Sequence, residues 1–346
     1  MNQTALTVII ATCNDVDRLR PLCQSLLAQS VAESIQIVVV ANLANPSLRE
    51  FITTCGFQYA DTGQIGVNRA RNRGLELARG DVVLFIDDDC VLSSPTFLSR
   101  HLKWHRDRPE VCGVGGPYEL SESAGAIAEA YHWIADHWLM TSRYGADRTL
   151  FLVGGNCSFK TKVLKSFGGF NDQILFGGAE LDVQIRMTNA GALFIFDENL
   201  TIEHRAELSL QSFLYKAFLQ GYSADQRRLS ELNEEKSFAS HLSLTDHVHR
   251  YRKLSWRRQI LFALYRQAFD IGRWASRTGR NREIKTLDAL LFFIEGTLRR
   301  GLNLRYHELL NDMYFASRYT LLCQAPAVQS ISPEANSLEQ QPHNSQ

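Results

Sequence analysis

The chain has 346 residues, 45% of them hydrophobic, and its 37 Lys+Arg are balanced by 37 Asp+Glu. That is enough apolar material for one large core or for a domain with an appendage, and the zero net charge removes any global electrostatic argument for nucleic acid as a partner. Seven cysteines, at 13, 23, 55, 90, 112, 157 and 323, form no CxxC pair, which argues against a disulfide framework and a thiolate zinc site. The opening MNQTALTVIIATCND has no basic n-region, so no signal peptide is expected, and without a run of about 18 apolar residues no membrane-spanning helix is expected. A reducing, cytoplasmic setting follows as the default.

In chain order, LTVIIA (residues 6–11) is a continuous apolar run of the kind that forms a buried parallel strand. Leu19, Leu22, Leu26 and Leu27 then recur at helical spacing behind Asp15 and Asp17, which favour a helix start. IQIVVVA (35–41) predicts a second strand, Pro46-Ser47 opens a short helix, GFQYA is a weak third strand, 67–79 is helical, and VVLFI (82–86) is a fourth strand. Strands alternating with helices predict an α/β fold with a doubly wound, mostly parallel sheet. Right-handed crossovers put the C-terminal strand ends on one edge, where ligands bind. Thr12-Cys13-Asn14, Ala41-Asn42 and Asp87-Asp88-Asp89 all fall at such ends.

Residues 91–150 read as helical and irregular, with aromatic residues at 131, 133, 138 and 144. VGGNCSFK and ALFIFD predict further strands, and Glu180 to Asn189 a helix closed by Gly191. Beyond His204 strand signals cease. The expected division is a sheet domain over 1–225, an all-helical basic extension over 226–322, and a disordered polar tail over 323–346. Residues 250–300 hold 13 Lys/Arg against 4 Asp/Glu.

Three aspartates in a row at a strand end repel one another unless a positive charge joins them. Clustered carboxylates suit a hard divalent cation, Mn2+ or Mg2+, which keeps open positions for the oxygens of a diphosphate. The alternative is a solvated acidic turn, or aspartates capping the next helix.

Four segments in order then carry a resemblance: LTVIIATCNDVDRLRPLCQSLLAQ, IGVNRARNRGLELARGDVVLFIDDD, VGGNCSFKTKVLKSFGGFNDQILFGGAELDVQIR, and His204. Together, over about residues 5–225, they resemble family 2 glycosyltransferases, which have the GT-A fold. The resemblance implies a nucleotide-sugar donor, a bound divalent metal, and direct inverting transfer to the hydroxyl of a carbohydrate, lipid-linked or natural-product acceptor. By position, Thr12, Asn14, Asn42, Arg71, Asp87 and Asp88 would meet the donor nucleotide, and Asp89 and His204 the metal. His204 has the alternative of an ordinary strand-end histidine. The general base falls to Glu180, with Asp182 as its rival. On a helix the two point about 200° apart, and Asp182 can instead pair with Arg186. Two departures from the family pattern stand out: Ala179 replaces the first acid of the usual Glu-Asp pair, and the second strand ends Ala41-Asn42, with no carboxylate where relatives place a base-reading Asp, though Asn42 can still donate and accept.

Trp133, Trp138 and Tyr144 lie where relatives build the acceptor site, with core packing as the alternative. In 256–277, Arg258, Arg266, Arg273 and Arg277 fall within about 100° on a helical wheel. That helix either lies on an anionic membrane surface between Trp256 and Trp274, or packs on the catalytic domain with a solvated arginine face. Two other functions compete with sugar transfer. One is a catalytically degenerate nucleotide- or glycan-binding protein, motivated by Ala41 and Ala179. The other is a nucleotidyltransferase, opposed by the absence of glycine in ATCNDVDRLRP.

Overall fold

The computed structural model describes residues 4–13, 15–121, 124–174, 178–206, 208–230 and 256–277. Four parallel strands come first: β1 (Leu6–Thr12), β2 (Ile35–Ala41), β3 (Gln58–Asp61) and β4 (Val82–Asp87). Helices α1 (Val16–Leu27), α2 (Pro46–Thr54) and α3 (Val67–Leu77) connect them. The helix starts follow local chemistry. Asp15 caps α1 by accepting from the Arg18 amide, Asn45 caps α2 through the Leu48 amide, and Pro46 fills the first helical position, where no amide is needed.

The nine-stranded sheet runs β3-β2-β1-β4-β10-β6-β11-β9-β8. Its second half is built from β6 (Val111–Gly115), β8 (Arg143–Tyr144), β9 (Arg148–Thr149), β10 (Asn156–Lys160) and β11 (Leu193–Phe196). A small sheet, β5 (Cys90–Val91), β12 (Ile202–His204) and β7 (Tyr118–Leu120), sits beyond the end of β4. Strands β6 and β7 fall in the stretch expected to be helical and irregular. Gly113 and Gly115 hide β6, because its neighbours fill the space a side chain would take: a Cβ on Gly115 would lie 2.4 Å from the Asn156 carbonyl.

The continuous apolar strands are buried on both faces. Val8, Ile10, Leu84 and Ile86 pack with α1, α2 and α4 (Phe97–Asp107). Ile9, Val83 and Phe85 pack with α3, α6 (Thr161–Ser166) and α7 (Leu181–Asn189). Burying each such side chain stabilises by about 1.5–3 kcal/mol, and alternation along the strands commits every residue to one layer or the other. This is the predicted α/β sheet.

A third layer is helical: α5 (Ala126–Thr141), α8 (Leu210–Ser230) and α9 (Trp256–Arg277). Its core is Ala130, Ile134, Phe213, Ala217, Phe262, Tyr265 and Phe269. Helices α8 and α9 run antiparallel and meet backbone to backbone. A Cβ on Gly221 would sit 1.9 Å from the Phe269 carbonyl, and one on Gly272 would sit 2.0 Å from that of Phe218. Of the arginine stripe of α9, one member is buried and another, 41% exposed, pairs with α5. Arg266 is buried and donates to Asp270 at 2.9 Å, and Arg258 pairs with Glu129 of α5. Ile260 and Trp274 remain exposed. Among the described residues no helix is long and apolar enough to cross a membrane. Helix α8 runs without a break across residue 225, while the expected tail and most of the basic extension lie outside the described residues.

Candidate active site

Register assembles the site. β1 pairs Ala11 with Asp87, and β10 enters antiparallel with Asn156 opposite Ile86. Thr12 therefore reaches Asp88, and the Gly154-Gly155 turn arrives beside Asp87. The three aspartates separate to different partners. Asp87 accepts from Arg71 at 3.2 Å through Oδ1 and from the Tyr118 hydroxyl at 2.9 Å through Oδ2. Asp88 accepts from the Thr12 hydroxyl at 2.5 Å. Asp89 lies 3.2 Å from His204 Nε2 and 3.5 Å from the Arg18 guanidinium. The positive charge missing from LFIDDDC is thus supplied first by the protein itself.

Asp87, Asp89 and His204 each offer a ligand atom, all within 4.8 Å of one another. Two carboxylate oxygens and one imidazole nitrogen fit a divalent metal, and the imidazole favours manganese over magnesium. Burial pushes the Asp89 carboxyl up, but the hydrogen bond and charge of His204, with Lys216 and Arg18, hold it well below the usual range. Burial lowers His204, and Asp89 more than reverses that, so its pKa is raised. The ring of Tyr118 stacks on His204 with centroids 4.6 Å apart, and its hydroxyl accepts from the Gly155 amide at 2.9 Å. Tyr118 therefore orients two of the three potential ligands.

Arg71, 5% exposed, links this cluster to Glu180, whose carboxylate lies 3.5 Å from it. Burial opposes the guanidinium charge, and Asp87 and Glu180 outweigh it. Glu180 stands at the N-cap of α7, where the helix dipole favours a carboxylate. Gly154 must lack a side chain here, because a Cβ would lie 2.7 Å from the Arg71 guanidinium. Two asparagines of α3 clamp the loop leading to Glu180. Asn68 donates to the carbonyls of Ala179 and Asn171, and Asn72 exchanges bonds with the Phe170 backbone.

The other sequence candidates are placed as follows. Asp182 is buried and turned to Arg186, accepting from it at 2.9 and 3.1 Å. Asn42 binds the start of α3, its Oδ1 accepting from the Gly66 amide at 3.3 Å, and its carbonyl accepts from Thr62. Trp133 packs on Phe262 at 4.8 Å, within the helical layer. Tyr144 lies on β8, the sheet's far edge, with β10, β6, β11 and β9 between it and β4. Asn14 and the side chains of Trp138 and Arg277 are outside the described residues.

Tyr131 and His132, rather than Trp133, are the residues of α5 that sense the site. Burial and the charges of Glu180, Asp87 and Asp89 raise the Tyr131 phenol, and burial and the charge of His204 are what lower His132. Tyr118, Arg18 and Lys216 of α8 carry no motif that would have singled them out. Arg18 had a weak signal in its place one turn into the first helix.

Residues 7–168 match the family model described as Glycosyl transferase family 2. A glucosyl-dolichyl phosphate glucuronosyltransferase of Haloferax volcanii is 25% identical over 171 residues, 46% of this chain and 54% of that protein. The chain thus spans about half the length of that curated relative. The mannosyltransferase PcManGT of Pyrobaculum calidifontis, solved with GDP-Man and Mn2+, is similar in structure, with a TM-score of 0.55, 15% identity, and coverage of 90% of this chain and 85% of that one. At that identity the likeness supports the fold alone.

Proposed function

From the match of residues 7–168 to the Glycosyl transferase family 2 model, we propose that the chain is an inverting, metal-dependent glycosyltransferase that moves a sugar from a nucleotide-diphosphate donor to an acceptor hydroxyl. The observation that carries this is the Arg71 bridge, which ties a carboxylate of the candidate metal set to Glu180. Asp87, Asp89 and His204 would hold the metal, with manganese the better fit to the imidazole. When bound, a divalent cation supplies positive charge to the departing diphosphate.

In the reaction, the acceptor oxygen forms its bond to the anomeric carbon as the carbon–oxygen bond to the diphosphate breaks. The bonding electron pair leaves with the diphosphate, and the acceptor's proton passes to Glu180. Arg71 holds Glu180 in place, and the asparagine clamp fixes the loop that carries it. Thr12, Asn42 and Asp88 stand at the strand ends where the nucleotide would lie.

A lipid-linked acceptor is favoured by the name of the haloarchaeal relative and by exposed Ile260 and Trp274, which would meet an anionic membrane surface. Co-sedimentation with anionic and neutral vesicles tests that contact, and equal recovery in both supernatants would remove it. The central test is a thermal-shift panel of nucleotide diphosphates and nucleotide sugars, with and without Mn2+. One nucleotide should raise the melting temperature in a Mn2+-dependent way. No shift with any nucleotide would overturn the proposal.

A further inference from the structure

Glu180 is held only loosely by its own side chain. It makes no capping bond to α7, and among the described residues its carboxylate pairs with the Arg71 guanidinium alone, at 3.5 Å. Its reach into the crevice is therefore set by the backbone that carries it. The residue before it, Ala179, is buried and has no polar side chain, so this stretch can be fixed only through its main chain.

One face of α3 does the fixing. Asn68, Arg71 and Asn72 stand at i, i+3 and i+4, so their side chains leave the helix on the same side. Arg71 meets the Glu180 carboxylate, and Asn72 exchanges bonds with the Phe170 backbone. Asn68 alone acts at two places. Its Nδ2 donates to the Asn171 carbonyl at 2.8 Å and to the Ala179 carbonyl at 2.9 Å, so one amide group ties together both ends of the segment 171–179. Carbonyls only accept, so the nitrogen must face them and Oδ1 must face away. Asn68 is fully buried, and that Oδ1 has no hydrogen-bond partner. An unpaired buried oxygen costs stability, which offsets part of what the two bonds contribute. What remains to the side chain is placement.

Resting on the transfer proposed above, we propose that Asn68 is a positioning residue for that reaction: by closing the segment 171–179 at its neck, it sets how far the Glu180 carboxylate stands from the acceptor oxygen. A base must lie within hydrogen-bond reach of the proton it takes, and a misplacement of about 1 Å costs about a hundredfold in rate. Among the described residues Asn68 bonds to no member of the metal set. Its loss therefore acts on turnover and not on the hold on the nucleotide. No sequence motif singled it out, because both of its partners lie more than a hundred residues away.

Kinetics and calorimetry on the full chain test this together. Asn68→Ala and Asn68→Asp each remove both donated bonds. Each should slow the release of diphosphate from UDP-glucose or GDP-mannose in Mn2+, with water as the acceptor, by about thirtyfold, while affinity for UDP and GDP in Mn2+ stays within about twofold. Asn68→Ser keeps one proton for one of the two carbonyls and should turn over about fivefold faster than Asn68→Ala. Ile52→Val, in the core beneath α2 and away from this segment, is the control for stability. It should melt earlier than wild type yet turn over within about twofold of it. If both Asn68→Ala and Asn68→Asp turn over within about threefold of wild type while Glu180→Gln does not, this inference fails alone. Loss of turnover matched by loss of diphosphate affinity, or reproduced by Ile52→Val, would mark a merely structural role and overturn it too. A wild type that binds UDP or GDP in Mn2+ but releases neither from its sugar also overturns the inference. If wild type binds neither diphosphate in Mn2+, the proposed function fails with it.

Discussion

The two halves of the site are built on different principles. In the parallel-sheet half, strands β1, β2 and β4 carry functional groups at their C-terminal ends, and ladder register alone brings Thr12, Asn42 and Asp87–Asp89 together. In the helical layer, Tyr131 and Lys216 sit mid-helix, and their positions depend on how α5, α8 and α9 pack. That packing rests on two glycines that let α8 and α9 touch backbone to backbone. The sheet half should therefore tolerate loss of a site side chain without unfolding. The helical half should lose structure from a single added methyl group.

The largest expected effect comes from the sheet half. Asp89→Ala should abolish Mn2+-dependent nucleotide binding and lower turnover by about a thousandfold, while the fold survives. Thermal melting with and without Mn2+ reads both, and a retained metal-dependent shift would refute the assignment. Glu180→Gln should come next, with kcat falling by about a hundredfold or more and diphosphate affinity kept within about threefold. Asp182→Asn should instead spare kcat and cost about 2 kcal/mol of stability, since its carboxylate serves Arg186. Steady-state kinetics on both variants decides between the two acids, and the reverse pattern would make Asp182 the base.

The helical half is tested by Gly272→Ala. The new Cβ would lie 2.0 Å from a carbonyl that cannot move aside, and the cost should be about 3 kcal/mol. Gly125→Ala, whose Cβ would meet nothing within 4 Å, should stay within about 0.5 kcal/mol of wild type. Urea unfolding compares them, and equal stability would remove the backbone contact from the account of this layer.

A pH dependence distinguishes the sheet's interior from both. His101 and His105 of α4 each meet the Ser158 hydroxyl at 2.9 Å. Burial lowers them to about 3 and about 4. Their folded pKa values are depressed below the ordinary 6.5, so the unfolded chain takes up more protons between those limits. Their stabilisation is thus complete above about pH 6.5 and lost as pH falls toward 4 and then 3, with a slope of up to about 1.4 kcal/mol per pH unit per group. A stability profile flat between pH 6.5 and 4.5 would show that these rings are charged in the fold.

Much of the sheet was legible because its signals are local. A buried parallel strand is a continuous apolar run, as at β1, β2 and β4, and a helix start is signalled by Asp15 and Asp17 at α1 and by Pro46-Ser47 at α2. Strand β6 was not legible, since two of its five residues are glycines whose missing side chains only make sense against Phe194, Phe159 and the Asn156 carbonyl. Tyr118 and Lys216 escaped for a related reason. Nothing beside them in the chain distinguishes them, and their partners are dozens of residues away.

From the sequence alone came the α/β architecture, the edge on which the site lies, and the acids that gather there, because periodicity and strand ends are properties of neighbours in the chain. Tertiary structure decided what those acids face. It turned Glu180 to Arg71, added Asp87 to Asp89 and His204 as a candidate ligand, and sent Trp133 into the helical core. Side-chain partnership is fixed by the packing of elements distant in sequence, and no spacing along the chain encodes it.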